Sequence, residues 1–305
     1  MVVAQVDRAG PSWLGSAWSA VTAGAPRMIG AVPPTIQVLV GIVSVQVGAA
    51  LAKQLFSTAG SAGVVALRLV FAAAVLTLIW RPSLRVDRRA LPVILGYGVV
   101  LAAMNTCFYL AIDRIPLGIA VTVEFLGPLA VALLGSRRWL DGLWALLAAA
   151  GVVLLARGGG DVSITGLLFA LGAGVCWAAY ILLSAALGSR TADGSGLALA
   201  MVVAGAAVLP FGVADAGGAL LSPTVLVVGL GVALMSSVIP YSLELEALRH
   251  IPPRVFGVLM SLEPAVAALA GLLVLHEALR PAQWVAVCCV VAASAGATRY
   301  ARPDV

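Results

Sequence analysis

The sequence predicts an all-α integral membrane protein with ten transmembrane helices, arranged as two inverted five-helix repeats. Three observations carry this prediction. The 305-residue chain is 62% hydrophobic and only 10% charged, with a mean hydropathy of +1.10, whereas soluble domains run near 25% charged. Too little polar side chain is present to cover a soluble globule. Apolar runs long enough to cross a bilayer recur along the chain. Finally, the two halves match each other under a fixed shift of 136 residues.

Residues 1–33 contain prolines, glycines, Trp13 and Trp18 and lack a basic-then-apolar leader pattern. They read as a cytoplasmic N-terminal tail. Spanning runs follow at about 35–55, 62–80, 91–111, 117–136, 139–156, 164–187, 196–214, 223–243, 254–275 and 281–299. The first five form one repeat over 34–157 and the last five a second over 163–300. Connections are short, so no soluble domain interrupts the membrane region. Lys and Arg concentrate on the cytoplasmic side of spanning proteins. With the N-terminus inside, only Arg114, Arg157 and Arg280 fall in outer connections. Arg81, Arg85, Arg88, Arg89, Arg137, Arg138, Arg190 and Arg249 then face the cytoplasm, as do both termini.

Under the shift, Ile115-Pro116 meets Ile251-Pro252, Leu126 and Pro128 meet Leu262 and Pro264, and Asp141 meets Glu277. Five helices per half is an odd number, so the second half crosses in the opposite sense. The charges agree: Arg137-Arg138 face Leu273-Val274, and the basic loop at 81–89 corresponds to the base-free 215–222. Inverted repeats with a site at their interface are a transporter design.

Arg68, Glu124 and Glu263 fall near mid-helix. A lone charge there costs about 2.5–3.5 kcal/mol on insertion scales, so each must pair or line water, and each is a functional candidate. One reading makes Arg68 a neutralising partner for a carboxylate; the other makes the three a binding site for a charged solute or a proton path. Pro128 and Pro264 free backbone carbonyls beside the acids and kink their helices. Freed carbonyls and carboxylates suit an ammonium group, and a guanidinium suits a carboxylate, a combination that fits an amino acid. Glu124 and Glu263 are also the candidates for proton coupling. Lys53 ends the first span and reads as a snorkelling anchor or a gate lysine. Gln46 lies on the same face. Asn105 with Phe108 and Tyr109, Trp177 with Tyr180, and Tyr241 with Glu244 are further candidates, each weighed against plain packing. Cys107, Cys176, Cys288 and Cys289 read as small buried hydrophobes. No nucleotide, serine-hydrolase or zinc-protease motif occurs, so no cofactor or enzymatic role is expected. No basic run with interleaved aromatics suggests nucleic acid.

The motifs SVQVGAALAKQLF (44–56), VVALRL (64–69), NTCFYLAI (105–112), IPLGIAVTVEFLGPLAVALLGSRR (115–138), LGAGVCWAAYIL (171–182), IPYSLELEAL (239–248) and FGVLMSLEPAVAAL (256–269) resemble the EamA type of the drug/metabolite transporter superfamily. Within it, they are most similar to inner-membrane exporters of the threonine/homoserine type. The resemblance spans roughly 35–300. It implies efflux of a small polar amino acid by proton antiport, with Gln46, Lys53, Arg68, Asn105, Glu124, Tyr180, Tyr241, Glu244 and Glu263 lining the cavity. Its expected partners are that solute, protons and membrane lipid; a homodimer is compatible with the sequence but not required by it. A broader metabolite or drug exporter is the alternative, and a non-transporting membrane protein a third.

The orientation is testable. A fluorescent reporter that folds only in the cytoplasm should be bright when fused at the C-terminus. A periplasm-dependent phosphatase should be active when fused at Ala219. The reverse pattern would overturn the orientation.

Overall fold

The computed structural model describes residues 32–82, 90–134, 139–157, 162–188, 195–248 and 250–300. The expected tail up to residue 31 lies outside these residues, as do Arg85, Arg88, Arg89, Arg137, Arg138, Arg190 and Arg249. All regular secondary structure among the described residues is helical, without strands. The helices are α1 (Pro34–Gln54), α2 (Phe56–Trp80), α3 (Leu91–Ile112), α4 (Leu117–Glu124), α5 (Leu126–Leu134), α6 (Trp139–Arg157), α7 (Ile164–Gly188), α8 (Ser195–Ala216), α9 (Pro223–Ala233), α10 (Ile239–Leu248), α11 (Pro253–Met260), α12 (Glu263–Val274) and α13 (Pro281–Tyr300). A π-helical turn, Leu234–Val238, joins α9 to α10.

Ten spans follow from these thirteen helices, because three spans are interrupted. Among the described residues nine stretches are long and apolar enough to cross a membrane. α6 contributes the apolar stretch Gly142–Leu155 among the described residues. Proline starts α1, α9 and α11, where a missing N–H costs nothing. The second span was expected from residue 62, yet α2 begins at Phe56, directly after α1. Gly60 takes φ +63° inside it, a left-handed value that glycine adopts without strain, and the chain bends there before the span proper.

The fourth and ninth spans break at Phe125 and at Ser261-Leu262, three residues before Pro128 and Pro264. The acids therefore sit beside the breaks and not in mid-helix as expected: Glu124 is the last residue of α4 and Glu263 the first of α12. α4 and α11 have matching bounds 136 residues apart. Their N-caps match too, Pro116 at φ −56°, ψ 142° and Pro252 at φ −59°, ψ 143°.

Packing pairs the two halves. α2 lies against α8, α3 against α7, α6 against α13, and α4 against α12, while α1 packs on α10 and α12. Exchanging each span for the one 136 residues on preserves the main contacts: α3 on α7 maps onto α1 on α10, while α2 on α8, α6 on α13 and α4 on α12 map onto themselves. Small residues let the backbones approach, the usual solution where lipid gives no hydrophobic drive between helices. The tightest approach joins α5 to α7. Pro128 removes the N–H that would reach the Glu124 carbonyl, and a Cβ on Gly174 would lie 2.7 Å from that oxygen. A Cβ on Gly127 would run into the Gly174 carbonyl. Cys107, Cys176 and Cys289 are half-buried and Cys288 is exposed. The expectation of four buried cysteines is thus met only in part at three of them and fails at Cys288, which lies on an outward-facing side of α13.

Gly127→Ala should destabilise the protein by on the order of 1–3 kcal/mol, the usual cost of overpacking, read as a lower melting temperature in detergent. Ala at Gly142, which has nothing within 4 Å of its Cβ position, should be neutral. Equal behaviour of the two variants would contradict the close α5–α7 approach.

Candidate functional site

A cavity of about 560 Å³ opens between the two broken spans and the helices around them. This is within the range of small-molecule sites. Eight of the nine expected residues line it: Gln46, Arg68, Asn105, Glu124, Tyr180, Tyr241, Glu244 and Glu263. Lys53 does not.

Arg68 projects from α2 and is 8% exposed. One terminal nitrogen donates to the Tyr109 hydroxyl at 3.3 Å and the other to the Ser236 carbonyl at 3.0 Å. Its guanidinium also lies 5.5 Å from the Tyr109 ring centroid, within cation–π range. No carboxylate comes within 4 Å of it among the described residues. The arrangement therefore differs from a simple neutralising ion pair. Its Nε is buried without a hydrogen-bond partner.

The Ser236 carbonyl is available because of Pro240. A helical carbonyl bonds the N–H four residues on, and Pro240 has none. The π turn frees a second carbonyl, that of Met235, because Ile239 donates to Leu234 instead. Ser44 of α1 donates to Met235 at 2.7 Å. Both freed carbonyls are thus satisfied by side chains from the other half of the chain.

Glu124 and Glu263 are 8% and 5% exposed. Glu263 Oε2 is buried without a hydrogen-bond partner, as are Gln46 Oε1 and Ser236 Oγ. The cavity therefore brings together unsatisfied donors and acceptors. Leaving each unpaired costs about 1–3 kcal/mol. Asn105 Nδ2 donates to the carbonyl of Leu101 in its own helix at 2.8 Å. Tyr180 stacks on Tyr97 with centroids 5.0 Å apart, and Trp177 meets Phe125 edge-on at 5.5 Å. Both expected aromatics line the cavity and also pack.

Four hydroxyl residues escaped the sequence reading. Ser184, Ser236, Ser294 and Thr298 line the cavity, and Ser294 contacts the Ser261 hydroxyl at 2.9 Å. Ser236 had a legible signal, since it stands four residues before a proline. Ser184, Ser294 and Thr298 had none. Among the described residues no group of three or more His, Cys, Asp or Glu comes together to hold a metal.

Lys53 lies beyond one end of the cavity, a turn past Ala49 on α1. Its Nζ donates to Glu277 at 2.6 Å and to the Ile115 carbonyl at 3.0 Å. The second Glu277 oxygen accepts from the Leu117 backbone N–H at 2.8 Å, capping α4. α1, the start of α4 and the segment after α12 are thereby tied together.

The EamA-like transporter family model matches residues 164–299. The threonine/homoserine exporter RhtA of Escherichia coli strain K12 is 44% identical over 275 residues, covering 89% of this chain and 93% of that protein. RhtA of Salmonella typhimurium strain LT2 is 43% identical over 285 residues, covering 92% and 96%. The uncharacterized transporter YwfM of Bacillus subtilis is 28% identical over 232 residues, covering 72% and 77%. A solved crystal structure at 19% identity shares the fold with a TM-score of 0.60, covering 87% of this chain and 97% of its own. Spanning helices, broken fourth and ninth spans and similarity over nearly the whole chain agree: the protein belongs to the EamA-like transporter family.

Proposed function

We propose that this chain is a multi-pass inner-membrane exporter of a small polar amino acid of the threonine/homoserine kind, driven by proton antiport through alternating access. One observation carries the reading. One cavity is lined by both Arg68, whose buried Nε is an unpartnered donor, and Glu263, whose buried Oε2 is an unpartnered acceptor. A zwitterion answers both, its carboxylate at Arg68 and its ammonium at Glu263. Hydrogen bonds to charged groups contribute about 1.5–3 kcal/mol each. The RhtA relatives, named as threonine/homoserine exporters, support the solute class.

Glu124 and Glu263 are the carboxyls able to take up a proton as the solute leaves. With both termini in the cytoplasm, the Lys53–Glu277 contact lies on the outer side and closes that end of the cavity. The cavity lining extends the other way, to Glu244 and Thr298. Inverted repeats supply the rocking motion, since each half can adopt the other's conformation. The aromatic lining, Phe108, Phe125, Trp177 and Phe256 among it, favours a second reading, a broader metabolite exporter.

The decisive assay is efflux of radiolabelled threonine or homoserine from preloaded cells. Export should require the protein and collapse with the proton gradient. Arg68→Ala should cut it at least tenfold, the factor for losing about 1.4 kcal/mol, and Glu124→Gln should abolish it, with both variants still inserted. Normal export by both would contradict the cavity's role. Export of larger solutes alone would favour the second reading.

The outer closure has its own test. Lys53 is the only lysine in the chain. An impermeant amine reagent applied from outside should leave it unlabelled in the native protein and label it in Glu277→Ala. Equal labelling would contradict the latch.

A further inference from the structure

We propose that the π-helical turn Leu234–Val238 is the carboxylate-recognition element of the cavity. In it, the Ser236 hydroxyl donates to one carboxylate oxygen of the substrate while Arg68 holds the other. This inference rests on the zwitterion reading above and adds to it a residue and the backbone device that aims it.

The argument begins at Pro240. Without its N–H, the Ser236 carbonyl turns to Arg68 at 3.0 Å. The Tyr109 hydroxyl fixes a second corner of the guanidinium. Two corners held leave Nε–H as the buried, unpartnered edge. The residue whose carbonyl holds Arg68 also carries a hydroxyl that is buried, lines the cavity and has no hydrogen-bond partner. One unpaired donor thus sits on the turn and the other on the guanidinium that the turn's carbonyl holds, and a carboxylate has two oxygens to accept from them. A neutral hydroxyl adds direction to the pairing without another buried charge.

α1 is cut to fit. A Cβ on Gly48 would collide with Ser236 Oγ, so glycine there leaves room for the hydroxyl. Ser44, one turn earlier, pins the Met235 carbonyl and with it the turn. Ser237 supplies the contrast. It is equally buried and its hydroxyl equally unpartnered, but it does not line the cavity.

The test uses uptake of radiolabelled threonine into inside-out vesicles containing the full-length protein, with threonine and threoninamide as competitors. Ser236→Ala should raise the KM for threonine about tenfold, the worth of one hydrogen bond to a charged group, with maximal rate retained. The preference for threonine over threoninamide, which lacks the carboxylate, should shrink by a similar factor. Ser237→Ala should change neither. Pro240→Ala restores an N–H that competes for the Ser236 carbonyl and should shrink the preference as well. An unchanged preference in Ser236→Ala, or the same effect from Ser237→Ala, overturns the inference and leaves the zwitterion reading standing. Native vesicles that carry neither threonine nor homoserine overturn that reading and this inference with it.

Discussion

Inside a bilayer a backbone carbonyl that loses its helical partner must find another donor in the protein, because lipid offers none. This constraint shapes the centre of the molecule. Pro128, Pro240 and Pro264 each delete one N–H within a span. The carbonyl freed by Pro128 lies against Gly174; the one freed by Pro240 takes Arg68; the π turn hands a further carbonyl to Ser44. Each solution ties a helix of one half to a helix of the other. The same substitutions that weaken individual helices therefore hold the halves together around a shared space.

That largely apolar space receives its charged groups in part from the breaks. Glu124 ends one half-helix and Glu263 begins another. Arg68 is held by a phenol and a carbonyl and by no carboxylate within 4 Å among the described residues. A protein selected for stability alone would pair these charges or replace them with packed hydrophobes. Keeping donors and acceptors buried and unpaired is a cost, which on the proposed reading a bound solute offsets. Lys53, by contrast, is satisfied twice over, by Glu277 and Ile115. On the proposed reading it closes an end of the cavity, and rearranging that contact is one way to open the end again.

Much of this was legible in the sequence. Span limits come from apolar run length, and α4, α7 and α13 begin or end within a few residues of expectation. Gln46, Arg68, Glu124 and Glu263 stand out because polar groups at membrane depth are rare. What sequence could not give was direction. Glu124 and Glu263 read as mid-helix because a proline announces a break without saying that the break falls three residues earlier. Lys53 shares a face with Gln46, but its reach of several bonds carries it to Glu277, a partner 224 positions away. Serines such as Ser294 are common in packed spans, so only the fold distinguishes one lining a cavity from one, like Ser237, that does not.

The central claim is that one zwitterion occupies this cavity with its carboxylate at Arg68. Equilibrium binding of radiolabelled threonine to the purified protein tests it most directly. The account predicts saturable binding of one molecule per chain, lost in Arg68→Ala and preserved when Gly142 is replaced by Ala. Absence of binding, or binding indifferent to Arg68→Ala, would contradict it.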